Sequence, residues 1–172
     1  MEAKTVIELL KLFAENDIDI IVDGGWGVDA LLGRQTRHHE DLDIAIPHKD
    51  AAKLRKLLMD KGFSDIPRDD TRDCNFVLGD SLGNLVDVHS YTFNEQGNNI
   101  FGVAYLPEHF TGTGAINSYP VKCISAEWMV KFHTGYELDE NDFLDTLALC
   151  KRFNIPLPKE YDKFINDNEQ KG

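Results

Sequence analysis

The chain has 172 residues, 42% of them apolar and 28% charged, with a formal net charge of −12. That length suits one compact domain, alone or with a small helical appendage, and so acidic a composition argues against tight nucleic-acid binding, which needs clustered Lys and Arg. No apolar run approaches ~18 residues and MEAKTVIELL lacks a basic, apolar leader, so the reading is a cytoplasmic protein with no membrane partner.

From Thr5 to Glu15, Val6, Leu9, Leu10 and Phe13 recur at helical spacing, which predicts a first helix with Thr5 as its N-cap. Ile20-Ile21-Val22 reads as a short buried strand. Gly24-Gly25 breaks it and opens an amphipathic piece from Trp26 to Leu32. A polar loop leads through Glu40 into a second strand, Asp41 to Ile46, closed by Pro47. Asp50 is expected to cap a helix over 51–60 that stops at Gly62. After a charge-dense loop over 67–73, residues 75–78 and 85–89 read as the strands of a hairpin turning at 80–84. Residues 100–123 are Gly-rich, with extended pieces at 101–105 and 121–124. Helices are expected over 125–133 and 139–153, stopped by Pro156 and Pro158; the tail beyond Lys159 should hold one turn and then fray. Cys74, Cys123 and Cys150 have no CxxC spacing and read as free thiols.

Strand alternation puts Asp41 and Asp43 on one face, about 6.5–7 Å apart along the chain, with Leu42 and Ile44 on the other. In the returning hairpin strand Leu85, Asp87 and His89 share a face, opposite Val86 and Val88. A carboxylate in such a strand needs a partner or a metal, because burying it bare is costly. Two on one strand and a third on its neighbour make a site for two Mg²⁺ ions, which take hard oxygen ligands and complete their shell with substrate phosphates. Paired ions suit in-line displacement at phosphorus. Upstream, a Gly-Gly turn at a helix start can bring backbone N–H groups up to a phosphate with no Cβ in the way. An isolated D-x-D is more often a solvated strand edge; Gly-Gly before it and Asp87 after it shift the reading to nucleotidyl transfer.

Together, Gly24-Gly25-Trp26, Thr36-Arg37, Glu40-Asp41-Leu42-Asp43 and Val86-Asp87 resemble the nucleotidyltransferases of the DNA polymerase β superfamily. The phrases DGGWGVDALLGRQTRHHEDLDI, VDVHSYTFNEQG and CISAEWMVKFHTGYEL are similar to its antibiotic-inactivating group, the lincosamide and aminoglycoside 2″-nucleotidyltransferases. The resemblance implies an α/β (α+β) fold: a polymerase β-like core with a small mixed, twisted sheet and flanking helices, mainly on one side. The core is expected over 1–100, with 101–172 completing the acceptor site. The resemblance also implies that Gly24 and Gly25 contact the triphosphate and that Asp41 and Asp43 bind both metals. Asp87 would bind the catalytic metal and deprotonate the acceptor hydroxyl. The superfamily often has Gly-Ser at the turn; here that hydroxyl is missing and backbone N–H groups must serve, a variation the antibiotic group shares.

Other residues keep two readings each. Arg37 is a phosphate ligand or an ion-pair partner of Glu40, and Lys131 a triphosphate ligand or a solvated helix residue. His89 orients Asp87 or the acceptor, or is a satisfied core histidine. Tyr105 and Trp128 are core residues or line the acceptor pocket. His38, His39 and His48 have no zinc-type partner spacing. The function implied is transfer of AMP from ATP to a hydroxyl of a lincosamide, with Mg²⁺ and release of pyrophosphate; an aminoglycoside 2″-hydroxyl is second. The partners implied are a small-molecule antibiotic and a nucleoside triphosphate, with a homodimer as a candidate assembly. The rivals are the antitoxin of a toxin–antitoxin pair on the same core, and a binding module with a dead site. A dead site should lack one acidic residue, and all three are present.

Overall fold

A computed structural model describes residues 1–169. Among them, eight strands form one mixed sheet in the order β3-β4-β5-β2-β1-β8-β7, with β6 also paired to β5. Six α-helices accompany it. Helix α1 (Ala3–Glu15) buries Val6, Leu9, Leu10 and Phe13, as the spacing predicts. It starts two residues earlier than expected, with Glu2 at its N-cap and no side-chain cap bond, so Thr5 lies inside the helix. Strand β1 (Ile21–Val22) leads directly into α2 (Gly24–Leu32), which ends on the left-handed Gly33. The two central strands are β2 (Asp41–Pro47) and β5 (Leu85–Phe93), paired in parallel.

Helix α3 (Ala51–Met59) follows a 3₁₀ turn over His48–Asp50, and Asp50 makes no side-chain cap bond. The hairpin of β4 (Asn75–Gly79) and β5 is closed by Asp80, whose Oδ1 accepts from the backbone N–H groups of Leu82 and Asn84, both at 2.9 Å. Two strands were not legible in the sequence: β3 (Ser64–Ile66), exposed throughout, and β7 (Gly112–Ile116). Strand β6 (Asn99–Gly102) lies slightly ahead of the expected 101–105. The glycines of β7 follow from packing. A Cβ at Gly114 would lie 2.9 Å from the backbone N of Leu31, so the strand runs against the α2 backbone. Strand β8 (Tyr119–Cys123) returns from β7 and pairs in parallel with β1, joining the C-terminal part to the same sheet.

Helices cover both faces, not mainly one. On one face α1 and α3 pack on Leu42, Ile44, Ile46, Val86 and Val88. On the other, α4 (Ala126–Phe132) and α5 (Glu140–Phe153) pack on Ile21, Ala45 and Tyr91 through Met129, Val130 and Leu149. Helix α2 supplies Trp26 and Ala30 to the first core and Val28 to the second. The tail holds more structure than one turn: a 3₁₀ turn over Lys159–Tyr161 and α6 (Asp162–Glu169). Tyr161 is buried; its hydroxyl donates to the backbone carbonyl of His133 and accepts from the Thr146 hydroxyl at 3.0 Å. The fraying expected at the chain end falls on residues 170–172, outside the described residues.

Candidate active site

Alternation along β2 and β5 builds the site. Leu42 and Ile44 face the first core, so Asp41, Asp43 and Ala45 face the other way. Val86 and Val88 likewise turn Asp87, His89 and Tyr91 to that second face. Ala45 and Tyr91 are covered by the second core, and the three aspartates precede them on their strands. The parallel register sets Asp43 directly beside Asp87. One carboxylate oxygen from each of Asp41, Asp43 and Asp87 lies within 4.8 Å of the others. Such crowding raises the Asp43 pKa to about 8, first through burial and then through Asp41, Asp23 and Asp87; only His89 opposes it. Asp87 Oδ1 is buried, with His89 Nε2 3.2 Å away. Three half-buried carboxylates gathered this closely fit a divalent cation bound by hard oxygen ligands.

Helix α2 starts against this cluster. Asp23 caps it, accepting from the Gly24 N–H at 2.8 Å. The positive φ of +55° at this turn falls on Gly24. Any Cβ on Gly24 would sit 2.7 Å from the Asp43 carboxyl carbon, so the turn and the acidic cluster are in contact. Gly25 is confined from the other side: a Cβ there would lie 2.6 Å from the His39 ring and 3.0 Å from Arg37 Nη2. Gly25→Val is therefore expected to raise the Michaelis constant for the nucleotide by about tenfold or more, roughly 1.4 kcal/mol, and to move that of the acceptor less. Steady-state kinetics with each substrate varied in turn checks this, and equal shifts in both would point to general unfolding.

Around the cluster the other singled-out residues are spread over two sides. Arg37 does not pair with Glu40. Its guanidinium grips Asp145, with Nη2 2.8 Å and Nε 3.2 Å from Oδ2, and this holds it beside Gly25. Asp145 is buried, so truncating Arg37 would also leave a carboxylate unpaired, at a cost of about 3–5 kcal/mol. His89 reaches back along β5 instead of lying beyond Asp87: its Nε2 is 3.2 Å from Asp87 Oδ1. Burial disfavours charge on His89, but Asp87, Asp23 and Asp43 outweigh it and raise its pKa. Tyr105 is buried and donates from its hydroxyl to Asp23 Oδ2 at 2.8 Å, with His89 Nδ1 3.4 Å away. Burial, then the Asp23 charge, keeps this phenol protonated well above its ordinary range.

A cleft of about 540 Å³ opens beside this network, lined by Asp23, His89, Tyr105, Phe132 and Lys131 among others. Lys131 Nζ lies 3.9 Å over the Trp128 ring, which in turn packs on His109 at 4.1 Å between ring centroids. Three contributors were missed in the sequence. Asp23 follows an apolar run with no local pattern to mark it, yet it is N-cap, Tyr105 partner and neighbour of the acidic cluster. Arg68, from the charge-dense loop, places Nη1 3.2 Å from Asp87 Oδ2. Asp145 sits on a helix whose pattern marked only its apolar positions.

A mixed sheet that gathers three carboxylates against a glycine turn at a helix start defines a metal-dependent nucleotidyltransferase. The chain belongs to the aminoglycoside-2″-adenylyltransferase family, whose sequence profile matches residues 5–149. It is 31% identical, over 149 residues, to a lincosamide resistance protein from Staphylococcus haemolyticus, covering 83% of this chain and 90% of that protein. A 2″-aminoglycoside nucleotidyltransferase from Klebsiella pneumoniae is 30% identical over 77 residues, 39% of this chain and 44% of the relative. Among solved structures, the lincomycin-bound lincosamide antibiotic adenylyltransferase LnuA superposes with a TM-score of 0.76 at 27% identity, covering 87% of this chain and 96% of that one. The antibiotic-resistance factor ANT(2″)-Ia superposes with a TM-score of 0.73 at 19% identity, over 88% and 83% of the two chains, and so shares the fold. Membership makes the chain an enzyme of nucleotidyl transfer, and implies a nucleotide substrate, a divalent metal and a small-molecule acceptor. Among the described residues no helix is long and apolar enough to cross a membrane.

Proposed function

We propose that this enzyme transfers AMP from ATP to a hydroxyl of a lincosamide, releasing pyrophosphate. The observation that carries the reading is an acidic cluster complete in all three carboxylates, in a chain matching 90% of the length of a lincosamide resistance protein. Aminoglycosides are the second acceptor class, supported by shorter matches to their nucleotidyltransferases. A dead binding module has no support from a site that keeps its full acidic set, and an antitoxin role has no observation in its favour.

In this reading Asp41, Asp43 and Asp87 would hold two Mg²⁺ ions, which supply charge neutralisation at phosphorus and lower the pKa of the acceptor hydroxyl. The chain's own groups do the rest. Gly24 and Gly25 bring backbone N–H groups to the phosphates, with Arg37 alongside and Lys131 facing the cleft. Asp87 takes the acceptor proton, and His89 orients Asp87. Tyr105, tied to Asp23, and Trp128, beneath Lys131, shape the acceptor side of the cleft, whose volume lies in the range of small-ligand sites. In this proposal residues after 100 complete the acceptor site, and the enzyme works in the cytoplasm, where its ATP is.

Incubation with ATP, Mg²⁺ and a panel of lincosamides and aminoglycosides, read by mass, tests this. The expected product is an adenylyl adduct of a lincosamide. Adducts confined to aminoglycosides would move the assignment to the second class, and no adduct with either drug class would overturn both.

A further inference from the structure

Resting on the reading that a triphosphate seats at the Gly24–Gly25 turn, we infer that His39, through Nδ1, is a direct ligand of that triphosphate, held in place from behind by Asp29 and Thr36. His39 is 2% exposed, within a loop that is otherwise largely exposed. Its Nε2 hydrogen-bonds Asp29 Oδ2, and the other Asp29 oxygen accepts from Thr36 twice, from N at 2.9 Å and from Oγ1 at 2.6 Å. Asp29 is also 2% exposed. It follows Gly25 by four residues on α2 and so shares its face of the helix. Trp26 packs on the imidazole at 4.8 Å between centroids. The ring is therefore fixed in position and in rotation.

Its other nitrogen is not used by the protein. Among the described residues His39 Nδ1 makes no hydrogen bond, and it packs against Gly25, close enough that a Cβ there would overlap it. A ring held this firmly, with one nitrogen left free beside the Gly25 turn, is placed to meet a ligand there. The N–H groups of Gly25 and Trp26, orphans of the first helical turn, likewise find no acceptor among the described residues. Arg37 Nη2 converges on the same point from Asp145. The turn therefore has two chemically distinct sides. Gly24 faces the Asp43 carboxylate, the side of the cations; Gly25 faces the His39 ring and Arg37 Nη2, and nitrogen groups converging on a helix start suit phosphate oxygens.

His39→Gln tests this, because a glutamine amide N–H can still reach Asp29 while nothing replaces Nδ1. Calorimetric titrations with Mg²⁺-ATP and with Mg²⁺-tripolyphosphate are expected to show affinity for both lowered about ten- to a hundredfold, the worth of one hydrogen bond to a charged group, with the melting temperature little changed. Wild-type affinity for both in His39→Gln would overturn the assignment and leave the proposed function standing. Failure of the wild type to bind either would overturn both. Should the variant unfold, ¹⁵N spectra of histidine-labelled wild type decide: the Nδ1 resonance of His39 is expected to shift on adding tripolyphosphate, and an unmoved resonance overturns the inference.

Discussion

Asp43→Asn is expected to lower turnover by at least about 10³-fold, beyond the 10²–10³ lost with a single preorganised hydrogen-bond donor. Asp43 is the most crowded of the three carboxylates, half-buried and flanked by Asp41, Asp23 and Asp87. Its ordinary function as an anion is possible only with a cation in place, and the amide oxygen of Asn is a much poorer ligand for one. Fold and chemistry can be separated in the same variant. The pKa of Asp43 is raised in the folded protein to about 8. Its contribution to stability is thus present below the usual carboxylate range and lost as pH rises from about 4 toward 8. In EDTA at pH 8 the wild type carries that loss and Asp43→Asn does not. The variant should then melt no lower than the wild type while remaining inactive with Mg²⁺ restored. Turnover near wild type in Asp43→Asn, or full wild-type activity in excess EDTA, would end the metal-dependent reading.

Much of this site was legible because β-strand alternation is a strict rule. Leu42, Ile44, Val86 and Val88 had to be inside, and that alone turned Asp41, Asp43 and Asp87 to a common face. What alternation does not give is register between strands. The alignment of Asp43 with Asp87 is set by the parallel pairing of β2 and β5, whose partners lie 44 residues apart in sequence. Helices α1, α3, α4 and α5 were readable from apolar periodicity, but their ends were not: Thr5 and Asp50 have good capping chemistry and neither caps. Strand β7 was hidden because its glycines suit a close backbone approach to α2, a tertiary cause with no local pattern. The partners that hold functional groups in place were hidden for the same reason. Asp145 lies 108 residues from Arg37, and Tyr105 lies 82 from Asp23. His39 was weighed only as a metal ligand. A signal was available in Asp29: a carboxylate on the buried side of an apolar helix requires a partner, and the histidine before the acidic pair is the residue that meets it.

Asp87→Asn is expected to abolish turnover while Mg²⁺-ATP still binds, since Asp41 and Asp43 remain. A hydroxyl acceptor has a pKa far above neutrality, so its proton must pass to a base as the bond to phosphorus forms. Two side chains on the right face of β5 compete for that role. His89 has the ordinary pKa for it, and the sequence placed it one full alternation beyond Asp87. The structure brings the two together, with Nε2 3.2 Å from Asp87 Oδ1. In that position His89 presents its Nε2 to a carboxylate, and Asp87, Asp23 and Asp43 raise its pKa against the effect of burial, which favours the protonated ring. In that geometry His89 Nε2 faces Asp87 and not the substrate. Its remaining nitrogen faces the Tyr105 hydroxyl at 3.4 Å, and both residues line the cleft. His89→Ala should therefore keep measurable turnover, with a raised Michaelis constant for the acceptor and little change for ATP. Asp87→Asn should show the reverse: nucleotide affinity retained in calorimetric titration, and no adduct by mass at long incubation. If His89→Ala is as inactive as Asp87→Asn, and wild-type turnover follows a single imidazole-like titration, then His89 is the base and Asp87 only holds the metal.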